Sequence, residues 1–246
     1  MDSSRVAIVT GAGGGIGSHV VQRLLARGYR VAAVDREQSN LRMLCERLTD
    51  THALLSISVC DVANPHLVKQ CIGETVERWG RLDTLVTCAG MFAQTPIATI
   101  DANTLRELLA ANLESVIHLS SAAMRPMARA RSGRMVHVSS IAAESGSAIA
   151  SVYAASKAGV VALVKSHARE LAPLGISVNA VLPGYCATPM LEPMRAFVER
   201  FVVPRIALKR VAEPDEIAEV VEFLVTCKTS YLTGSAIIVD GGLHVG

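Results

Sequence analysis

The sequence predicts a doubly wound α/β domain, a parallel sheet of about seven strands flanked by helices, spanning residues 1–246 as one unit. Three observations predict it. Apolar runs of strand length alternate with helix-period segments along the whole chain. The first run, Val6-Ala7-Ile8-Val9, passes directly into a glycine-rich loop and then a helical pattern. No repeat, linker or low-complexity tract interrupts the alternation.

Composition narrows the class. Half of the residues are apolar and four per cent are aromatic, which suits a tightly packed α/β core. The net charge is only +2, and the basic residues are scattered apart from Arg125, Arg129, Arg131 and Arg134. A basic face interleaved with aromatics is missing, so no nucleic-acid partner is expected. Six cysteines without a CxxC pair read as small core residues of a reducing compartment. Seven dispersed histidines show no ligand spacing, so no metal is expected. No apolar segment reaches the ~18 to 20 residues of a membrane span, and a strand-like run begins almost at the N-terminus. The expectation is a soluble, cytoplasmic protein.

Each element has its own signal. Val6 to Val9 is apolar throughout, as a parallel strand buried on both faces should be. Thr10-Gly11-Ala12-Gly13-Gly14-Gly15-Ile16-Gly17 follows, then a helix marked by Val20, Val21, Leu24 and Leu25. Glycines there permit a tight turn and a close backbone approach to a pyrophosphate, whose charge the helix amides meet. The second strand, Arg30 to Val34, ends in Asp35, at the spacing of an acid that binds the adenosine ribose. A carboxylate there repels a 2′-phosphate, so Asp35 argues for NAD over NADP, while the adjacent Arg36 could receive that phosphate.

A helix near Leu41 to Leu48 and a strand near Leu54 to Val59 lead to Asp61-Val62, where Asp61 is either an adenine contact or a turn former. Asn64-Pro65 opens a helix reaching Trp79. The strand Thr84-Leu85-Val86 runs into Thr87-Cys88-Ala89-Gly90 at the edge where ligands bind in such sheets. Helical segments around Leu105 to Ala111 and Leu113 to Arg129 enclose Asn112, a polar residue that needs a partner or a site. The strand Arg134 to Val138 ends in Ser139-Ser140, and its His137 reads as a core residue.

The helix from Ser151 carries Tyr153 and Lys157 one turn apart, where a fixed ammonium can favour the phenolate. A sixth strand, Ile176 to Val181, precedes Pro183-Gly184-Tyr185-Cys186-Ala187-Thr188. Met190, Met194, Phe197, Val198 and Phe201 then recur at helical spacing, suggesting a lid near 188–208. Pro214 opens the last helix, and Ala236 to Val239 gives the last strand.

Taken together, these residues resemble the short-chain dehydrogenase/reductase family over essentially the whole chain, which implies a single Rossmann fold. Thr10-Gly11-x-x-x-Gly15-Ile16-Gly17 resembles its cofactor motif. Asn112, Ser140, Tyr153 and Lys157 fall in the order of its catalytic tetrad, and Pro183-Gly184 with Thr188 resembles its nicotinamide-holding segment. Arg81 to Val86 and Val239-Asp240-Gly241-Gly242 also fit. Two departures stand out: Thr87-Cys88 where relatives carry two asparagines, and Ala142-Ala143-Glu144 after Ser140.

The resemblance implies hydride transfer between NAD and a secondary alcohol or ketone. Tyr153 is then the acid–base, Lys157 lowers its pKa and binds the nicotinamide ribose, Ser140 orients the substrate oxygen, and Asn112 supports a water path. Gly11, Gly13, Gly14, Gly15, Ile16, Gly17, Asp35, Arg36, Asp61, Val62, Ala89, Gly90, Pro183, Gly184 and Thr188 are expected to hold the dinucleotide beside Tyr153 and Lys157. Met91, Phe92, Ala142, Tyr185, Met190 and Met194 suggest a mostly apolar substrate pocket, with Glu144 either contacting substrate or bonding a neighbouring loop. Alternatives are an NADPH-linked 3-oxoacyl carrier-protein reductase, whose acidic partner could dock on Arg129 and Arg131, a cis-dihydrodiol dehydrogenase, and a non-catalytic NAD-binding regulator. A homo-oligomer, tetramer or dimer, is expected from the family.

Overall fold

The structure, a computed structural model, describes residues 4–48 and 53–244. Seven parallel strands form its sheet: β1 Val6–Thr10, β2 Arg30–Asp35, β3 Leu55–Val59, β4 Thr84–Thr87, β5 Gly133–Val138, β6 Ile176–Pro183 and β7 Ala236–Val239. Their order is β3-β2-β1-β4-β5-β6-β7. The chain therefore starts mid-sheet, winds outward to β3, and returns to place β4 beside β1. That reversal is the switch point at which such sheets open a crevice at their carboxyl edge.

Nine α-helices among the described residues connect the strands: α1 Gly15–Ala26, α2 Gln38–Arg47, α3 Pro65–Trp79, α4 Ala102–Leu109, α5 Ser115–Ala130, α6 Ala142–Ser145, α7 Ser151–Leu171, α8 Arg195–Phe201 and α9 Pro214–Thr226. Alternation along the strands splits the core into two layers. Val6 and Ile8 pack with Val68, Leu119, Met127 and Val164 from α3, α5 and α7. Ala7 and Val9 pack with Leu24, Leu41, Ile217 and Val221 from α1, α2 and α9. Each fully buried branched side chain contributes about 1.5–3 kcal/mol, so β1 anchors both layers.

Local signals act as expected at several ends. Asn64 Oδ1 accepts from His66 N at 2.9 Å and Leu67 N at 3.3 Å, capping α3 with Pro65 in its first turn. Two segments differ from expectation. Between α4 and α5 the chain makes a π turn, Ala110–Glu114, which swings Asn112 into the interior. The 188–208 segment is amphipathic in a different register. Its inward residues are Leu191, Val198, Val202 and Ile206, while Met190, Phe197 and Phe201 are about half exposed. Phe197 and Phe201 stack on each other on the outside, their centroids 5.1 Å apart, because α8 lasts only two turns and short 3-10 turns at Glu192–Met194 and Val203–Arg205 break the helical period.

Candidate active site

Parallel pairing brings the loops that follow β1 to β6 to one edge of the sheet. Backbone bonds lock them together: Cys60 N donates to Asp35 O at 3.0 Å, Cys88 N to Thr10 O at 3.1 Å, and Ile141 N to Pro183 O at 2.9 Å.

The glycine loop is shaped by what it lacks. Gly11 has φ +63°, and a Cβ there would stand 2.7 Å from Ala89 N, so the β1 and β4 loops touch backbone to backbone. A Cβ on Gly15 would come within 2.5 Å of Thr188 Cγ2, one on Gly13 would overlap Asn40, and one on Gly17 would overlap Gly11 O. Gly14 caps α1 without any side-chain bond, leaving the first amides of α1, including those of Ile16 and Gly17, without a side-chain acceptor. A smooth backbone cradle at a helix N-terminus fits a dinucleotide pyrophosphate. Pro183 ends β6, Gly184 N bonds Val239 O at 2.9 Å, and Thr188 lies directly against Gly15.

Asp35 is fixed beside this cradle. Its Oδ2 accepts from Gly13 N and its Oδ1 from Glu37 N, both at 3.0 Å. Arg36 is exposed and pairs with Glu37 at 3.3 Å. Asp61 is exposed and closes its own turn by accepting from Ala63 N at 3.0 Å, so of the two readings of Asp61 its bonding is that of a turn former. Val62 buries its side chain in the core, which leaves only its main chain for a ligand contact.

Tyr153 and Lys157 lie one turn apart near the start of α7, as their spacing requires. The Ser140 hydroxyl neighbours the Tyr153 phenol. Burial raises the Tyr153 pKa, with Ser140 pulling against it and Tyr185 adding to it. Lys157 is almost fully buried, and burial lowers its pKa to about 8, opposed by Cys88. Its Nζ donates to Val138 O at 3.1 Å and lies 5.9 Å from the Tyr153 ring centroid. Burial is the leading influence on Tyr153 in the chain by itself. The bond to Val138 O takes one of the three N–H donors of the ammonium, and desolvation dominates both groups.

The paired serines have separate jobs. Ser140 Oγ accepts from Ala142 N at 3.2 Å and reaches Tyr153, whereas Ser139 Oγ donates to Lys157 O at 2.8 Å and ties β5 to α7. Asn112 is fully buried. Its Oδ1 accepts from Met91 N at 2.8 Å, and its Nδ2 donates to Met91 O at 2.9 Å and Ser156 Oγ at 3.2 Å. Gly90 lies against both Asn112 and Lys157: a Cβ there would stand 2.9 Å from Asn112 Oδ1 and 3.3 Å from Lys157 Nζ. Cys88, at one departure from the family pattern, is pushed up to about 12 by burial, against the pull of Lys157. It stays a neutral thiol. Thr87 Oγ1 bonds His137 Nδ1 at 2.9 Å, and burial drives His137 down to about 3, so it is a neutral core residue as expected.

The residues expected to meet substrate separate in space. Phe92 sets its ring edge-on to Tyr153 at 5.2 Å, Tyr185 neighbours Tyr153, and half-buried Met91 sits beneath Asn112. Ala142 is buried at the start of α6, and Met194 packs under the 188–208 segment with Tyr185. Met190 faces outward. Glu144 is exposed, and its carboxylate bonds no neighbouring loop among the described residues. Arg129 and Arg131 fall at the opposite edge from Tyr153, where Arg131 ends α5 and donates to Pro173 O at 3.0 Å. They are a solvated helix end. Thr95 was not legible as a site residue: its partners Ser151 and Val152 lie 56 and 57 residues away.

The fold and this edge define a nicotinamide-dinucleotide-dependent oxidoreductase. A family profile described as enoyl-(acyl carrier protein) reductase matches residues 11–244, and the chain belongs to that family, within the short-chain dehydrogenases/reductases. It is 33% identical over 241 residues to the 3-oxoacyl-[acyl-carrier-protein] reductase FabG of Thermotoga maritima, covering 98% of each chain. It is 34% identical over 251 residues to the acetoacetyl-CoA reductase of an Acinetobacter species, covering 100% of each. The solved structure of a variant actinorhodin polyketide ketoreductase with NADPH superposes with a TM-score of 0.93 at 32% identity, covering 98% of this chain and 97% of that one. No described helix is long and apolar enough to cross a membrane.

Proposed function

We propose that this chain reduces the 3-keto group of a 3-oxoacyl thioester to the alcohol. The observation that carries the reading is the Ser140 hydroxyl beside the Tyr153 phenol at the carboxyl edge of the sheet, which pairs a proton donor with a second hydroxyl that can hold the same oxygen. Relatives named for 3-oxoacyl and acetoacetyl thioesters supply the substrate class.

The dinucleotide, when bound, supplies the hydride to the keto carbon. Ser140 holds the carbonyl oxygen, and the Tyr153 O–H bond breaks to give that oxygen its proton, leaving a phenolate. Lys157, half charged near pH 8, stabilises that phenolate and returns a proton to it. Asn112 keeps the Met91 backbone and the α7 residue Ser156 in register beneath the site. Phe92, Tyr185 and Met194 give the acyl chain an apolar wall, which the 188–208 segment covers as a lid. Because raised Tyr153 is neutral at physiological pH, the donor is already loaded for reduction.

The solved relative carries NADPH, which speaks for that cofactor. This chain's own residue speaks for NADH: Asp35 is pinned beside Gly13 and repels a 2′-phosphate. Our reading follows Asp35. The test measures oxidation of NADH and of NADPH with acetoacetyl-CoA and with simple ketones. The highest kcat/KM is expected for the thioester with NADH. Equal or better turnover of simple ketones would sink the thioester reading and return the general NAD-linked alcohol dehydrogenase, and a preference for NADPH would overturn the role of Asp35.

A further inference from the structure

A buried threonine outside the catalytic set ties the loop after β4 to the helix that carries Tyr153. Thr95 is 2% exposed. Its N–H donates to Ile149 O at 2.6 Å, its Oγ1 accepts from Val152 N at 3.3 Å, and its carbonyl accepts from Ser151 Oγ at 3.5 Å. The residue at the N-cap of α7 is Ala150, which offers no side-chain acceptor. Thr95 therefore supplies from across the site the cap that the helix itself lacks.

A second observation points the same way. Ile149, just ahead of α7, has φ +57°, a left-handed conformation that a β-branched residue rarely adopts, and its side chain is 56% exposed. Packing does not hold it there. The bond from Thr95 N and the parallel bridge between Thr95 and Ala150 do. The other end of the same loop is held by Asn112 at Met91, and between the two anchors Phe92 rests its ring edge on Tyr153.

We infer that Thr95 is a positioning residue for Tyr153, fixing the first turn of α7 so that the phenol meets Ser140. The inference rests on the reading of Tyr153 as proton donor given under Proposed function. Thr95→Val removes the acceptor at nearly constant shape, and Thr95→Ser keeps it.

Two measurements on the full chain test this without depending on each other. Amide hydrogen exchange across residues 149–155 is expected to speed up about tenfold in Thr95→Val and to match wild type in Thr95→Ser. With acetoacetyl-CoA, kcat is expected to fall by about tenfold or more in Thr95→Val, with the KM for dinucleotide unchanged, and to recover in Thr95→Ser. Unchanged exchange, unchanged kcat, or a serine variant as impaired as the valine one overturns the inference. So does a loss of dinucleotide affinity in step with kcat, which marks a merely structural role. If wild type turns over no thioester or ketone, the functional reading fails by itself. Thr95 is then decided by exchange together with the tyrosinate absorbance titration of Tyr153, isolated by difference against Tyr153→Phe. A titration displaced from wild type in Thr95→Val supports the inference, because the burial that raises it and the Ser140 contact that lowers it both depend on where the phenol stands, and an unmoved one overturns it.

Discussion

Asn112 grips both main-chain polar groups of Met91, accepting from its N–H at 2.8 Å and donating to its carbonyl at 2.9 Å. A side-chain amide can satisfy a whole peptide unit this way only if the backbone turns it inward. The π turn at Ala110–Glu114 does so.

Asn112→Leu strips that pairing and leaves Met91 N–H and C=O, and Ser156 Oγ, without it. Each group so abandoned costs about 1–3 kcal/mol, so urea midpoints should drop clearly and the site should lose activity with them. A variant as stable as wild type would show that water replaces the amide.

Tyr153→Phe removes one oxygen from a ring held by Phe92 and the start of α7. Dinucleotide binding by fluorescence should be nearly intact, while turnover falls by orders of magnitude. Comparable turnover would end the assignment of Tyr153 as proton donor.

Gly15→Val places side-chain atoms where Thr188 Cγ2 stands only 2.5 Å from a modest Cβ. The cradle and the β6 loop must then part. We expect dinucleotide affinity to be lost before the fold is, read by calorimetric titration and by melting temperature on the same sample.

Asp35→Ser takes away the carboxylate that accepts from Gly13 N and Glu37 N. Arg36, no longer opposed by that charge, becomes the group nearest in sequence to a 2′-phosphate. The kcat/KM ratio of NADPH to NADH should rise by tenfold or more, about 1.4 kcal/mol.

Two buried bases contribute to the pH dependence of stability. Lys157 titrates near 8 in the fold against 10.5 for an ordinary lysine, so the unfolded chain holds more protons between those values and stability rises with pH across that window. The shift corresponds to about 3 kcal/mol. His137, near 3 against 6.5, acts likewise in acid: its neutral burial is tolerated above about 6.5 and progressively opposed as pH falls toward 3. Lys157→Met should flatten the alkaline rise in denaturation midpoint, and His137→Gln should make the acid decline shallower, with the share from ion-paired carboxylates such as Glu216 remaining.

Much of this was legible in the sequence because it is local. A strand buried on both faces must be apolar throughout, as Val6 to Val9 is, and a tight turn with φ +63° at residue 11 asks for glycine. Tyr153 and Lys157 share a face because helical geometry places i and i+4 there. The lid register failed for a local reason too: short turns break α8, so Phe197 and Phe201 point outward despite helical spacing.

By itself, the sequence determined the seven-stranded doubly wound fold, the glycine cradle, the acid at the end of β2 and the order of Asn112, Ser140, Tyr153 and Lys157. Tertiary structure alone decided which partner each polar group takes. Ser139 bonds Lys157 O while Ser140 lies beside Tyr153, Lys157 donates one bond to Val138 O, and Thr95 caps a helix that begins 56 residues later. The reason is physical: periodicity fixes which face a residue occupies, but a hydrogen bond across the crevice depends on where two distant backbones come to rest.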